Sequence, residues 1–580
     1  MSELTTTHEW NNLPWRKLER KVFKLQKRIY QASSRGDTET VRNLQRLLIN
    51  SWSAKCIAVR RVTQDNQGKK TAGVDGVKSL SPEARLKLAK QLRITGKSKP
   101  TLRVWIPKPG KDEKRPLGIP TIHDRALQAL VKIALEPEWE AKFEPNSYGF
   151  RPGRSTHDAI EAVFKGVKSK EKFILDADIA KCFDKINHYV LLKKLNTFPS
   201  LSRQIKAWLK SGVMDGKELF PTQEGTPQGG VISPLLANVA LHGLETLITN
   251  KFKRLSTGQN KRTAAILVRY ADDFVVIHEH LSVIEQSKQL ISQWLSNLGL
   301  ELKESKTKIV SSKTGFDFLG FNIKQYSVSD NHSSRNTKGE ILGFKTLIKP
   351  SDESIKRVYE QLRDTIDRYG TAPQVALIKK LNPIIKGWAN YYSTVCSTDT
   401  YNDLDSLLYN KLQQWARRRH SKKTNGWVAI KYWHVNEGKW DFRAEEDEKR
   451  ISLLKFYKTT INRHIKVQGS RSPFDGDWMY WSSRMGRSPE ISKKVAKLLK
   501  EQQGKCGHCG NYFDTDSVME IHHLDGNHKN NKTENLQLLH RHCHDNKHFT
   551  TKGMYDKHRV IEEPYECESL MYGSEDESVW

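Results

Sequence analysis

Residues 267–276, LVRYADDFVV, set Asp272 and Asp273 side by side inside an apolar run. Leu267, Val268, Phe274, Val275 and Val276 predict buried strand on either side, which places the two acids at the turn of a hairpin. An ionised carboxylate in such surroundings costs several kcal/mol unless it is paired or metal-bound. A third acid is available from FILDADIAKCFDKI, where Asp176 and Asp178 share one face of a predicted strand. Three converging carboxylates are the ligand set that two magnesium ions need for phosphoryl transfer. Asp is also a common turn residue, so the pair alone fits an ordinary polar hairpin equally well. A second chemical cluster lies near the C-terminus, where CGHC (506–509) and HRHC (540–543) give a C-x2-C and H-x2-C set. Cys506, Cys509, His540 and Cys543 suit tetrahedral zinc, with His542 the poorer-spaced rival to His540.

The elements that must position these groups are legible in outline. LRVWIPKPG and KFILDADI predict strands, and TIHDRALQALVKIAL and SKQLISQWLSNLGL predict helices. Near the N-terminus Leu18, Val22, Leu25 and Ile29 recur at helical spacing, with Arg16, Lys17, Arg20, Lys21, Lys24, Lys27 and Arg28 around them. Residues 64–77 form a Gly- and Lys-rich loop, and SVSDNHSSRNTKGE (327–340) reads as a linker or exposed loop. Ile355, Val358, Leu362 and Ile366 mark a further amphipathic helix, and Pro383 is expected to interrupt the helical run that follows it. Residues 440–495 are rich in charge and aromatic residues but weakly periodic, and 562–577 is acidic.

With 580 residues the chain is too long for one core. A formal net charge of +31, from 97 Lys and Arg against 66 Asp and Glu, points to a polyanion partner. No apolar stretch approaches a membrane span, the N-terminus lacks the pattern of a signal peptide, and the cysteines do not form a disulfide scaffold. The expectation is a nucleic-acid-binding protein of a reducing compartment, with no membrane partner.

In order, IPKPGKDEKRPLGIPTIHDR, SYGFRPGRS, LDADIAKCFDKINH, EGTPQGGVISPLLANVAL, RYADDF, GLELKESKTK and FDFLGF resemble the successive blocks of group II intron reverse transcriptases, over roughly residues 60–325. The resemblance implies a multidomain α/β chain: a right-hand polymerase of fingers and palm, a helical thumb or maturase domain, and a small zinc-bearing ββα-metal HNH nuclease domain. The boundaries it suggests are 1–90 for a basic, RNA-binding helical extension, 91–326 for fingers and palm, and 341–430 for the maturase region. A DNA-binding region (431–495), the nuclease (496–555) and an acidic tail (556–580) follow.

Residue by residue, Asp178, Asp272 and Asp273 match the family's catalytic carboxylates, which bind two Mg2+, while Asp176 matches nothing. Phe183 matches the aromatic that excludes a 2′-hydroxyl, implying dNTP substrates. Gln228 matches the residue supporting the templating pair, with Gly229 and Gly230 letting the backbone approach. Lys108 and Arg115 resemble a triphosphate clamp, and Lys306 a basic residue near the leaving phosphates. LNPIIKGWANYYS (381–393) and YNKLQQWARRRH (409–420) resemble the maturase region. There Arg417, Arg418 and Arg419 are expected on RNA, and most of Trp388, Tyr391, Tyr392 and Trp415 in packing.

MEIHHLDGNHKNNKTENLQLLHRHCHDNKH resembles an HNH nuclease motif. The match makes His523 the general base and Asn535 the residue that orients it, with His522, His544 and His548 around one divalent ion. A zinc ribbon that only binds DNA is the bland alternative. The whole implies a protein that binds its intron RNA, assists splicing and stays on the excised lariat as a ribonucleoprotein. That particle would reverse-splice into target DNA and copy the intron from the cut opposite strand, in the cytoplasm and on the nucleoid of a bacterium, or in an organelle.

Overall fold

The computed structural model describes residues 10–107, 114–216, 218–252, 264–336, 338–436, 439–446, 449–486, 488, 491–513 and 517–555. Its Cα positions fall into two compact units, one of residues 1–159, 175–308 and 467–580, the other of 160–174 and 309–466.

In the first unit, helices α1 (Trp15–Ser34), α2 (Thr38–Asn50) and α3 (Trp52–Arg60) pack with α4 (Ile122–Glu140). On α1 the predicted stripe is buried at Leu18, Val22 and Ile29, while Arg16, Lys17, Arg20, Lys21, Lys24 and Arg28 stay exposed. Helix α4 is buried along almost its whole length, acids included, and each acid side chain at its end has a cation. Glu138 accepts from Arg42, Lys142 and Gln45, and Glu140 from Arg151. Strands β1 (Thr101–Pro107), β2 (Lys114–Ile119), β4 (Val213–Asp215) and β5 (Glu218–Phe220) form a sheet in the order β2-β1-β4-β5. A second sheet contains β3 (Phe173–Asp178) and the antiparallel pair β6 (Ile266–Tyr270) and β7 (Asp273–His278), with β7 between β6 and β3. Leu267, Val268, Phe274, Val275 and Val276 are at most 1% exposed, so the hairpin is anchored on both arms.

The second unit holds an antiparallel sheet of Phe344–Pro350, Phe321–Ser327 and Phe316–Phe318 and the helices Asp352–Arg368, Gln374–Tyr392 and Thr398–Arg419. Of the two readings of residues 327–340, the exposed loop holds: they join two paired strands, from Phe321↔Pro350 to Ser327↔Phe344, and fold back through an Arg335–Ile341 bridge. One expectation is corrected: Pro383 does not interrupt its helix, which runs unbroken from Gln374 to Tyr392. A helix-interior proline costs about 3 kcal/mol. The buried stripe Leu377, Ile378, Leu381, Ile385, Ala389 and Tyr392 outweighs it, since each large apolar side chain contributes about 1.5–3 kcal/mol. The aromatic residues of this unit pack as expected: Trp388 contacts Tyr392, Tyr401 and Phe456, and Trp415 is 4% exposed. No described helix is long and apolar enough to cross a membrane.

The weakly periodic stretch 440–495 divides between the units at Val467. In the first unit its later part is tied to the SYGFRPGRS block and the residues just after it. The Val467 amide donates to Asp158 (2.8 Å), Arg154 donates to the Gly469 and Arg471 carbonyls, and Arg484 grips both oxygens of Asp158 at 2.5 and 2.6 Å.

Candidate polymerase and metal sites

Tyr270 pairs with Asp273 across the closing turn of the β6–β7 hairpin, so Ala271 and Asp272 form its tip. Ala271 takes a left-handed conformation, φ +56°. Asp178 ends β3, beside β7, and its side chain is 12% exposed with Lys306 Nζ 2.8 Å away. Burial, then the field of Asp178, raises the pKa of Asp272, with Lys306 and Arg115 opposing. Burial, then Asp272 and Asp178, pushes Asp273 up to about 7. Burial works against the charge on Lys306, yet its bond to Asp178 and the fields of Asp273 and Asp272 hold its pKa above the usual lysine value. Two carboxylates raised by burial and by the acids beside them, with a third at the end of the neighbouring strand, form a site suited to concentrated positive charge. The residues present fit divalent ions, and oxygen donors are what Mg2+ takes. Asp176, half-buried on the same strand, adds its field to Asp273.

Around this tip the remaining expected residues fall as follows. Phe183 is half-buried and meets Phe150 edge-on, with ring centroids 6.0 Å apart. The TPQGG loop hooks onto it: the Thr226 amide donates to the Phe183 carbonyl at 2.5 Å, and Gln228 Nε2 donates to Asp184 Oδ1 at 3.2 Å. The close approach at Gly229 and Gly230 is to the protein's own chain. A Cβ would meet the Gly118 carbonyl at 2.9 Å and Ser233 Oγ at 2.7 Å respectively. Arg115, on β2, sends its field to Asp272, whereas Lys108 lies outside the described residues. In the second unit, Arg417 and Arg418 are exposed, but Arg419 is turned inward. It donates to the Gly370 and Ala372 carbonyls at 2.8 Å and lies over the Trp415 ring. Those bonds give Arg419 a packing role within its own chain.

The C-terminal cluster is assembled as the spacing suggests. The ligand atoms of Cys506, Cys509, His540 and Cys543 lie within 4.8 Å of one another, and all four residues are buried. Cys509 Sγ is 3.4 Å from His540 Nδ1, and the His540 amide donates to Cys506 Sγ at 3.4 Å. Two knuckles of soft donors fit tetrahedral zinc. His542 points elsewhere, 3.6 Å from Glu19 on α1.

Beside this set, strand Met519–His523 pairs with Leu536–His540, followed by the helix Arg541–Tyr555. The ring nitrogens of His522, His544 and His548 lie within 4.8 Å of one another, and His544 Nε2 is 3.1 Å from His548 Nε2. Burial, then Lys547 and the neighbouring histidines, holds His522 down to about 4, the neutral state a metal ligand needs. Among the described residues, His522 Nδ1 and both ring nitrogens of His523 are buried without a hydrogen-bond partner. Asn535 is not bonded to the His523 ring. Its amide donates to Asp525 Oδ1 and the Asn530 carbonyl, its Oδ1 accepts from the Asp525 amide, and its carbonyl accepts from Leu524. It shapes the loop that follows His523 instead of touching the imidazole. Sequence reasoning missed Glu520, whose Oε2 lies 2.9 Å from His544 Nδ1. The strand alternation that puts it on the His522 face was the available signal.

Residues 106–323 match the family model for reverse transcriptase (RNA-dependent DNA polymerase), 10–92 that for the N-terminal domain of reverse transcriptase, and 355–433 the group II intron, maturase-specific domain. The group II intron-encoded protein LtrA of Lactococcus lactis subsp. cremoris is 25% identical over 546 residues, covering 81% of this chain and 87% of that protein. Protein YkfC of Escherichia coli K12 is 30% identical over 342 residues, 52% of this chain and 88% of that one. Maturase-like protein 1 of Euglena gracilis is 30% identical over 421 residues, 69% and 80% of the two chains. With three carboxylates gathered at the hairpin and the three domain matches in sequence order, the chain belongs to the group II intron-encoded reverse transcriptase–maturases.

Proposed function

We propose that this reverse transcriptase and maturase is also a DNA endonuclease, and that the two activities together insert its intron into new DNA sites. The observation that carries the polymerase part is the convergence of Asp178, Asp272 and Asp273 with Lys306 at one hairpin tip. The three acids would hold two Mg2+, which when bound supply Lewis-acid activation and offset charge on the transferring phosphate. Lys306 and Arg115 add cationic charge beside the triphosphate, with Lys108 completing the clamp. Phe183 closes the space a 2′-hydroxyl would need, and Gln228, tethered to Asp184, supports the templating pair.

For the nuclease, His522, His544 and His548 would hold one divalent ion that polarises the scissile phosphate. His523 accepts the proton of the attacking water, and Asn535 keeps the loop beside it in place. Zinc on Cys506, Cys509, His540 and Cys543 fixes the fold of the module. Arg417 and Arg418, both exposed, would meet the phosphates of intron RNA. The excised lariat, carried as a ribonucleoprotein, would reverse-splice into one strand of the target; the nuclease would cut the other strand, and the polymerase would extend the resulting 3′ end with dNTPs.

The test uses the purified ribonucleoprotein. Asp272→Ala is expected to abolish cDNA synthesis on an added primer and leave opposite-strand cleavage intact. His523→Ala is expected to do the reverse, and metal analysis should find one zinc per chain. Retained cDNA synthesis in the first variant, or retained cleavage in the second, removes the corresponding assignment. A bound zinc without any cleavage would leave a DNA-binding ribbon.

A further inference from the structure

The turn that carries Asp272 is held from behind by groups that no step above uses. A left-handed conformation such as that of Ala271 costs an L-residue about 1–2 kcal/mol, so something must hold it there. Behind it lies Arg269, 1% exposed. Its Nη1 donates to the Ala271 carbonyl and to Asn238 Oδ1, both at 3.0 Å, and its Nη2 donates to Ser147 Oγ at 2.7 Å. Asn238 Nδ2 in turn donates to the Gly149 carbonyl at 2.8 Å. The backbone closes the same circuit: the Arg269 amide donates to the Asn146 carbonyl and the Tyr148 amide to the Arg269 carbonyl, each at 2.9 Å. Gly149 lies hard against the turn, where a Cβ would stand 2.4 Å from the Ala271 nitrogen and 3.0 Å from the Tyr270 carbonyl carbon.

Among the described residues the acceptors of this guanidinium are neutral; burying its charge is expensive, and the fields of Glu144 and Glu245 offset only part of that cost. Two of its partners belong to the elements bracing the hairpin, and the third is the turn itself. We propose that Arg269 and Asn238 are positioning residues for reverse transcription. Through the Ala271 carbonyl and the Gly149 segment they hold the hairpin tip where Asp272 and Asp273 face Asp178. The proposal rests on reading those acids as the Mg2+ ligands. A misplacement of about 1 Å at a reacting centre can lower a rate about 10²-fold, so a loosened turn should be visible in kinetics.

The test is primer extension by the full-length protein on an RNA template, with active molecules counted by a single-turnover burst. It compares Asn238→Ala, Gly149→Ala and Arg269→Lys, with Asp272→Asn as control. Gly149→Ala removes no polar group and presses directly on the turn, so it decides the matter if Asn238→Ala folds poorly. In each of the three, kcat per active molecule is expected to fall about 10–100-fold. The Mg2+ concentration for half-maximal rate should rise several-fold, with KM for dNTP little changed. A purely structural role would reduce the count of active molecules and leave the Mg2+ requirement alone, and that result overturns the proposal. An active Asp272→Asn would instead overturn the reading of the acids. An inactive control beside wild-type kinetics in Asn238→Ala and Gly149→Ala would sink only the positioning claim.

Discussion

Asn146, whose carbonyl accepts from Arg269, is itself held by Glu245: its amide donates to Oε2 at 3.1 Å and its Nδ2 to Oε1 at 2.9 Å. Burial, joined by the field of Glu144, outweighs those bonds and pushes Glu245 from 4.5 up to about 7. Below pH 4.5 the carboxyl is protonated in both the folded and unfolded chain, and this stabilising difference is fully present. As the pH rises towards 7 the unfolded chain ionises first, so stability is lost through that window and stays lost above it. The 2.5-unit gap between 4.5 and 7 corresponds to about 3.4 kcal/mol, which solvent screening of a half-buried carboxyl trims to about 1–3 kcal/mol. Glu245→Gln removes the ionisation. It adds a pH-independent loss of about 1 kcal/mol, because its amide NH2 must face a donor on Asn146. Urea unfolding of both proteins at pH 5, 6, 7 and 8 and constant ionic strength isolates the effect, since other titrations cancel in the difference. The free-energy difference should move in favour of the variant by about 1–3 kcal/mol from pH 5 to pH 8. A difference that stays flat across that range refutes the reasoning.

Lys306→Ala, which removes the cation 2.8 Å from Asp178, should lower kcat for cDNA synthesis about 10²-fold at saturating dNTP; an unchanged rate takes Lys306 out of the site. Glu520→Ala should weaken divalent-ion affinity and opposite-strand cleavage by about 10–100-fold while extension of an added primer is unaffected, because it removes the partner that orients the His544 ring. Arg484→Ala takes the counter-charge from Asp158, which is fully buried, and should destabilise the unit by about 3–5 kcal/mol in urea unfolding; the double variant with Asp158→Asn should recover part of that.

Legibility followed the range of each interaction. The hairpin around Asp272 and Asp273 could be read because apolar residues on both arms leave one place for the turn, and Tyr270 does pair with Asp273. The gathering of Cys506, Cys509, His540 and Cys543 could be read because these residues come in two local pairs. Lys306 could not be placed from local pattern, since nothing near it in sequence announces Asp178 as its partner. Arg269 was hidden for the same reason. Inside LVRYADDFVV it looks like a polar interruption in a strand, and only the folded chain brings Asn238 and Ser147 to it. Pro383 misled because a local penalty was set against a burial whose size is fixed by tertiary packing.

Helix α1 shows why a single periodic stripe under-reads an element with two working faces. Leu18, Val22 and Ile29 are buried, and α1 packs on α4, but the neighbouring face is also occupied. Trp15 lies 6.1 Å from the His542 ring, Asn511 Nδ2 donates to Glu19 at 2.6 Å, and Phe23 meets Trp478, which stacks on Tyr512. Burial would raise Glu19, but Arg60, 2.8 Å away and lying over the Trp15 ring, keeps its pKa below the usual value. That network explains the choice between two histidines that spacing left close. His540 ends a strand facing the cysteines, and His542 falls in the helix that follows, where burial, then Arg60, drives its pKa well down and keeps it neutral. The cysteine module is thus seated on the helix that opens the polymerase. What α1 leaves exposed is the basic strip of Arg16, Lys17, Arg20, Lys21, Lys24 and Arg28, not its whole circumference.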